Sequence, residues 1–378
     1  MKTKFFFLLT LSCVACSVSM PAFGQTTASR PARQTIVSID GQAFLINGKP
    51  TYSGKSYKGM KIEGLLFNAR LVQGIFDDRN PETRSLWNYP DGAWDPDRNT
   101  REFIAAMPSW RQCGLLSFTI NLQGGSPQGY SKKQPWINSA ILPDGSLDPA
   151  YMKRLEAILN KADELGMAPI VGIFYKAQSD RLGNEEVFCR AADAFVDWLV
   201  EKGYTNVMVE IANEGNGFKS NLISTDRVTE LIRRVQRRSE GRLPTPAGRL
   251  LVGESYWGNI VPSEAVVEAS DFLLLHGNGV GKPERIAEMV RQTRMRKTYR
   301  GQPILFNEDD HYDFDKPQNN FVMAVSEYAS WGFFDYRHNG EPFEQGYQSV
   351  PVDWSIRSDR KKGFFRLLAE ITGNPLPD

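Results

Sequence analysis

Charge imbalance, histidine and cysteine are all scarce in this chain, and each scarcity excludes something. Its 45 basic and 44 acidic side chains leave a formal net charge of +1, so it carries no electrostatic footprint for nucleic acid or an anionic membrane. The one basic cluster, Arg233, Arg234, Arg237 and Arg238, shares a helix with Val228, Leu231, Ile232 and Val235 on the opposite face, the pattern of a solvated helix face. Three histidines in all supply no paired-histidine strand motif for a metal. No glycine-rich phosphate loop follows the first strand-like segment, which argues against a dinucleotide-binding sheet.

The apolar stretch 5–18 is too short and wrongly flanked for a membrane span. Lys2 and Lys4 precede it and Ala22-Phe23-Gly24 follows, so 1–24 reads as an export signal cleaved before Gln25. Val14-Ala15-Cys16 offers the alternative of a lipid anchor at Cys16, with Cys13 standing where leucine is usual. Residues 25–34 are polar and rich in Thr, Ser, Ala and Pro, a disordered lead-in. Beyond the signal the chain keeps Cys113 and Cys189, which fall on the first and third helices of the scheme below. Neighbouring helix axes lie about 8–10 Å apart, so a pair separated by a whole helix exceeds the ~7 Å Cα limit of a disulfide. Two unpaired, mostly buried thiols are expected.

What is present is a rhythm. Residues 36–50 alternate apolar positions around Asp40-Gly41 and Asn47-Gly48, the signature of a small β-hairpin. After it, runs of β-branched and large apolar residues alternate with stretches of 3.6-residue periodicity. Strand one lies within 65–76, in one of two registers (65–70 or 71–76), and a helix follows over about 99–113. Strand two is 115–121, strand three 168–174, strand four 206–212, strand five 249–255 and strand six 272–276. Strand seven is 303–307 and strand eight 331–336, with a last helix around Phe364, Leu367, Leu368 and Ile371. Eight strand–helix units point to a parallel (β/α)8 TIM barrel, a single domain over 35–378 that includes the N-terminal β-hairpin.

In such a barrel the site lies at the C-terminal strand ends. Strand four runs out through Glu210-Ile211-Ala212-Asn213-Glu214, and strand seven ends Phe306-Asn307-Glu308. Strand alternation separates Glu210 from the exit and gives it a structural role. Glu214 and Glu308 therefore face each other across the mouth, the placement that a retaining glycosidase needs for two carboxyl groups about 5–5.5 Å apart. His276, His311 and His338 fall at or beyond the ends of strands six, seven and eight. Arg70, in the first register of strand one, would reach Glu308 and hold it ionised; the second register would bring Asp77 and Asp78 to the mouth instead. Asn121 and Gln123, after strand two, could bind hydroxyls. Asp309 and Asp310 read as loop-ordering or pKa-tuning residues.

The Asn213-Glu214 pair in register with Glu308 resembles the cellulase-like clan (clan A) of retaining glycoside hydrolases, nearest to family 5 in pattern. The resemblance covers about 47–373 as architecture. It implies that Glu214 is the acid/base, Glu308 the nucleophile, Asn213 a contact of the sugar 2-hydroxyl, and His276 a group near the nucleophile or substrate. It implies a carbohydrate substrate and no cofactor, and the chain is expected to be an exported monomer. Trp87, Trp94, Trp136, Trp257, Trp331 and Trp354 fall in loops at the same end or on the last strand, where indole could stack on sugar C–H faces. Trp331 holds the strand-eight position of a substrate platform in the clan, although it begins the strand; Trp110 and Trp198 belong to helices and the core. Two other classes fit parts of the pattern: a metal-dependent barrel enzyme using Glu210, Glu214, His276, Glu308, Asp309 and His311, and a carbohydrate-binding barrel without catalysis. The loops 77–98 and 122–148 are long for barrel connections and should wall the site.

Overall fold

The chain's eight apolar runs become strands because each is buried on both faces, where β-branched and large aliphatic side chains pack best. A computed structural model describes residue 1 and residues 32–131, 133–218, 222–224 and 226–376. The expected export signal after residue 1, the alternative lipid site at Cys16 and most of the expected lead-in fall outside the described residues. Among those described, no helix is long and apolar enough to cross a membrane.

Val37–Asp40 pairs antiparallel with Ala43–Ile46 around Gly41, and Lys49–Pro50 adds a third strand. The expected hairpin is thus a three-stranded sheet. Eight parallel strands follow: Asn68–Ala69, Thr119–Asn121, Ile170–Tyr175, Met208–Asn213, Leu251–Gly253, Leu273–His276, Ile304–Glu308 and Gly332–Phe333. The second to fifth form one ladder, the sixth pairs with the seventh, and the eighth pairs with the first. Single links join the rest. Arg70 bridges Thr119 and Leu305 bridges Ser330, while Asp271 N donates to Val252 O at 2.8 Å between the fifth and sixth.

A helix follows each strand: Pro96–Gln112, Pro149–Glu164, Glu185–Lys202, Val228–Ser239, Glu264–Ala269, Glu284–Arg294, Asn320–Ser326 and Asp359–Thr372. Their starts are written locally. Asp95 and Asp148 accept from the free amides of the first turn with proline just inside, and Asn184, Ser263, Asn319 and Ser358 do the same; each such cap contributes about 1 kcal/mol. Of the two registers open for strand one, the structure takes the first. Residues beyond Arg70 leave the ladder as loop, and Asp77 and Asp78 are not at the strand ends. Asp78 instead accepts from Thr83 Oγ1, Trp87 Nε1 and the Ile137 amide, which orders the long loop from within.

The tryptophan expectation fails for five of six rings. Trp87, Trp94, Trp136, Trp331 and Trp354 are buried. The loops 77–98 and 122–148 extend the main core, in which Phe76 packs edge-on to Trp87 and Trp94, and Trp87 to Trp136. Covering an indole yields a stabilisation of a few kcal/mol, which no other position in these loops could match. Cys113 is buried, Cys189 half-buried, and both are unpaired.

Candidate active site

The ends of strands one, four, six and seven bring four charged side chains together. Arg70 is 2% exposed. Its Nε donates to Glu308 Oε2 at 2.7 Å, its Nη2 donates to Asn213 Oδ1, and its Nη1 lies 3.9 Å from Glu210 Oε2. His276, wholly buried, turns Nδ1 towards Glu214 Oε1 at 3.4 Å and Glu308 Oε2 at 3.8 Å. One oxygen each of Glu214 and Glu308 and one nitrogen of His276 lie within 4.8 Å of one another.

Electrostatics follow from that crowding. Burial pushes the Glu308 carboxyl up; Arg70 and His276 pull it back, and Glu214 and Asp310 add to the rise. Burial pulls the His276 imidazole down, but Glu308 and Glu214 outweigh it and the net direction is up. Neither ring nitrogen of His276 has a hydrogen-bond partner among the described residues. A buried donor left open between two carboxyl groups is the arrangement expected where a third party's oxygen completes the site.

Glu214 reaches its place through an unusual backbone. Its φ is +56°, the left-handed region that costs a non-glycine residue on the order of 1 kcal/mol. The strand-five end holds the turn. Glu214 N donates to Ser255 Oγ at 3.2 Å, Gly215 N donates to Ser255 O at 3.0 Å, and Ser255 Oγ donates to Glu210 Oε1 at 2.5 Å. Glu210 also accepts from Asn307 Nδ2, so it ties strands four, five and seven beneath the site, in line with a structural role.

Sequence reasoning missed Glu254, although it directly follows strand five. It is 1% exposed; Oε2 accepts from the Ala212 amide at 3.0 Å and Oε1 has no partner. A Cβ on Gly215 would sit 2.0 Å from that oxygen, so any larger residue there must displace the Glu254 carboxyl. Also missed were Asn278, whose Nδ2 donates to Glu308 Oε1 at 3.1 Å, and Tyr130. Their only sequence signal is position: Asn278 lies two residues beyond His276, and Tyr130 sits in the long loop after strand two.

The remaining expected residues divide. Trp257 is 45% exposed, next to the strand-four loop: its Nε1 lies 2.4 Å from where a Cβ on Gly217 would stand, and Lys176 Nζ is 5.5 Å from a ring centroid. Asn121 is fully buried, its amide against Gly172 and neither polar atom partnered among the described residues. Gln123 spends its amide on Tyr175 N, Ser179 Oγ and Ser139 Oγ. Trp331 is not a platform. It is fully buried, stacks on Phe321 at 4.9 Å and donates Nε1 to Asp309 Oδ2 at 2.8 Å, because its ring packs against Phe321 and Phe364 of the last two helices. His311 uses both ring nitrogens, on Asp309 Oδ1 (2.6 Å) and Val280 O (2.9 Å), and the Asp309 contact lifts its pKa to about 9. That leaves it no nitrogen for a substrate. His338 is exposed and stacked on Tyr336.

Among the described residues, two groups have the donor types of a metal site, Glu214–His276–Glu308 and Asp309–Asp310–His311. In the first, a guanidinium already occupies Glu308 Oε2; in the second, His311 Nδ1 is spent on Asp309. A second cation beside Arg70 would be repelled.

No protein-family model matches the chain, and no curated protein matches it. Solved structures do. A Bacteroides vulgatus protein named as a candidate glycoside hydrolase superposes with a TM-score of 0.54 at 14% identity, over 88% of this chain and 60% of that longer one. A broad specificity endoglucanase of glycoside hydrolase family 5 from Bacteroides salanitronis gives 0.52 at 11% identity, over 81% and 92%. A family 5 glycoside hydrolase from Bacteroides vulgatus gives 0.52 at 12%, over 88% and 70%. At such identities the likeness is one of fold: the chain resembles the cellulase-like clan, with family 5 nearest.

Proposed function

We propose that the chain is a retaining glycoside hydrolase on a closed (β/α)8 barrel, with Glu308 as nucleophile and Glu214 as acid/base. One observation carries the reading: carboxylate oxygens of Glu214 and Glu308 lie within 4.8 Å, with Arg70 Nε 2.7 Å from Glu308. That bound lies below the about 6.5–9.5 Å by which inverting enzymes separate their two carboxyl groups, and it fits direct attack. The cyclic order of strand pairing supports the closed barrel.

In the first step Glu214 gives its proton to the glycosidic oxygen as Glu308 attacks the anomeric carbon. The carbon–oxygen bond breaks, the leaving alcohol departs, and a glycosyl ester forms on Glu308. In the second step Glu214, now a carboxylate, takes a proton from water. The water oxygen attacks the same carbon, and the ester bond breaks to return Glu308 as a carboxylate. Arg70 stabilises that carboxylate and releases it when the ester forms. His276 offers a proton between the two carboxyl groups. Asn213, held by Arg70, is placed to meet the sugar 2-hydroxyl, and the exposed face of Trp257 to stack on a sugar ring.

We place the substrate among oligo- or polysaccharides, with β-glucans first to test because of the neighbours' endoglucanase names. We also carry forward an exported, single-domain protein acting as a monomer without a cofactor. The test is a panel of polysaccharides and aryl glycosides run on wild type, Glu308→Ala and Glu214→Ala. Activity lost in Glu308→Ala and restored with inverted product by azide supports the reading. A folded wild type that cleaves nothing, or a Glu308→Ala variant as active as wild type, ends it.

A further inference from the structure

Glu308 has a donor on each carboxylate oxygen, and only one comes from the strand ladder. Arg70 Nε takes Oε2 at 2.7 Å. Asn278 Nδ2 takes Oε1 at 3.1 Å, and the same amide group reaches Tyr130 Oη at 2.6 Å. Tyr130 Oη donates in turn to Asp310 Oδ2 at 2.8 Å. The polarity of this chain is set by the carboxylates at its two ends. A carboxylate only accepts, so the phenol proton points at Asp310 and its lone pair faces Asn278. The amide must then present its NH2 group there, and the second amide hydrogen falls on Glu308. With the amide reversed, its carbonyl oxygen would face both the phenol lone pair and the carboxylate.

Tyr130 is far from this place in sequence, 148 positions from Asn278 and 180 from Asp310. The loop after strand two gets there through a close approach. Gly129, at φ +74°, lies where a Cβ would be 2.5 Å from the Tyr336 ring. Tyr130 then packs edge-on to Tyr336 at 4.9 Å and Phe334 at 6.0 Å. From the other side, a Cβ on Gly258 would be 2.3 Å from the Asn278 carbonyl oxygen, so the strand-five loop confines the backbone of Asn278. The geometry leaves the tyrosine ring 58% exposed while its hydroxyl is engaged twice.

We propose that Asn278 and Tyr130 are a positioning pair for Glu308: the amide holds the second carboxylate oxygen, and the phenol, delivered by the loop after strand two, fixes which way the amide faces. The inference rests on Glu308 being the nucleophile. Its consequence is that the seating of a long loop, as well as the strand ladder, sets the reactivity of the carboxylate. The charged and titratable groups facing Glu308 are Arg70 from strand one, Glu214 from strand four, His276 from strand six, Asp310 beyond strand seven, and the phenols of Tyr130 and Tyr175.

The test compares full-length wild type, Tyr130→Phe and Asn278→Ala for kcat, KM, pH–rate profile and melting temperature on an aryl glycoside that wild type cleaves. Loss of one hydrogen bond to a charged network predicts kcat about tenfold lower in Tyr130→Phe and about a hundredfold lower in Asn278→Ala, with KM within about twofold. The acid limb of kcat/KM moves to higher pH in both, because Glu308 loses its Asn278 donor in Asn278→Ala and keeps that donor only in loosened seating in Tyr130→Phe. A Tyr130→Phe variant with unchanged kcat and raised KM would make Tyr130 a sugar-stacking residue and sink the proposal. So would lowered kcat with an unmoved acid limb. Should wild type cleave no glycoside, the hydrolase reading fails separately. The Glu308 carboxyl titration, followed by carbon-13 NMR, then decides: a higher midpoint in both variants upholds the pair, and an equal one overturns it.

Discussion

Two buried glutamates at strand ends live in opposite surroundings. Glu308 is 6% exposed and Glu254 1%, so both lose most of their hydration. Around Glu308 the structure supplies Arg70, His276 and the Asn278 amide. Around Glu254 it supplies the Ala212 amide on one oxygen, only the Gly215 backbone beside the other, and the carboxyl of Glu210 nearby. Burial, with Glu210 adding to it, pushes the Glu254 carboxyl well above its ordinary value. Burial alone therefore does not mark a working carboxylate. What separates the two is the presence of a cation and donors aimed at both oxygens.

Four experiments would break or sharpen that contrast. The largest effect is catalytic: Glu308→Gln should lower kcat by on the order of 10⁴-fold or more, as loss of a nucleophile does, while Glu254→Gln keeps both kcat and its pH profile. Equal losses in the two would erase the distinction. Next comes Arg70→Met, which leaves Glu308 and Glu210 buried without their cation. Removing one partner of a buried pair costs about 3–5 kcal/mol, measured by urea unfolding; a loss below about 1 kcal/mol would mean that His276 alone suffices.

The third concerns the contact beneath the Glu214 turn. Gly215→Ala drives a Cβ to 2.0 Å from Glu254 Oε1, an overpacking cost of about 1–3 kcal/mol. In a Glu254→Ala background the cost should largely vanish, so additivity of the two changes would refute the contact. The smallest effect is the pH dependence of stability. The folded pKa of Glu254 is raised above its unfolded value near 4.5, so the folded state binds more protons between the two. Its contribution is fully present below the unfolded pKa and is lost as pH rises through the folded pKa. Glu254→Gln should flatten that decline, and an unchanged slope of stability against pH would show that Glu254 is ionised after all.

Periodicity was enough to read most of the fold. Alternating apolar runs and amphipathic helices, with Asp, Ser and Asn caps in place, are local properties of the chain, and the strand boundaries moved by only a few residues. The positions of Glu214, Glu308 and Arg70 at strand ends followed from the same local count once the register of strand one was chosen. That choice was not legible, because both registers offered apolar residues and the ladder with Phe333 and Thr119 selected between them.

Loops behaved differently. A tryptophan in a long polar loop looks the same in sequence whether it faces a ligand or another loop. Only tertiary packing decided that Trp87, Trp94 and Trp136 are buried and that Trp257 stays exposed. Glu254 carried no sign that its oxygen would lie against Gly215, and nothing local to Tyr130 or Asn278 announced a contact spanning 148 positions. The sequence by itself determined which residues stand at the strand ends, because a strand's exit depends on neighbours a few residues away. The tertiary structure alone decided which of those groups carry charge, because that depends on burial and on partners brought in from distant loops.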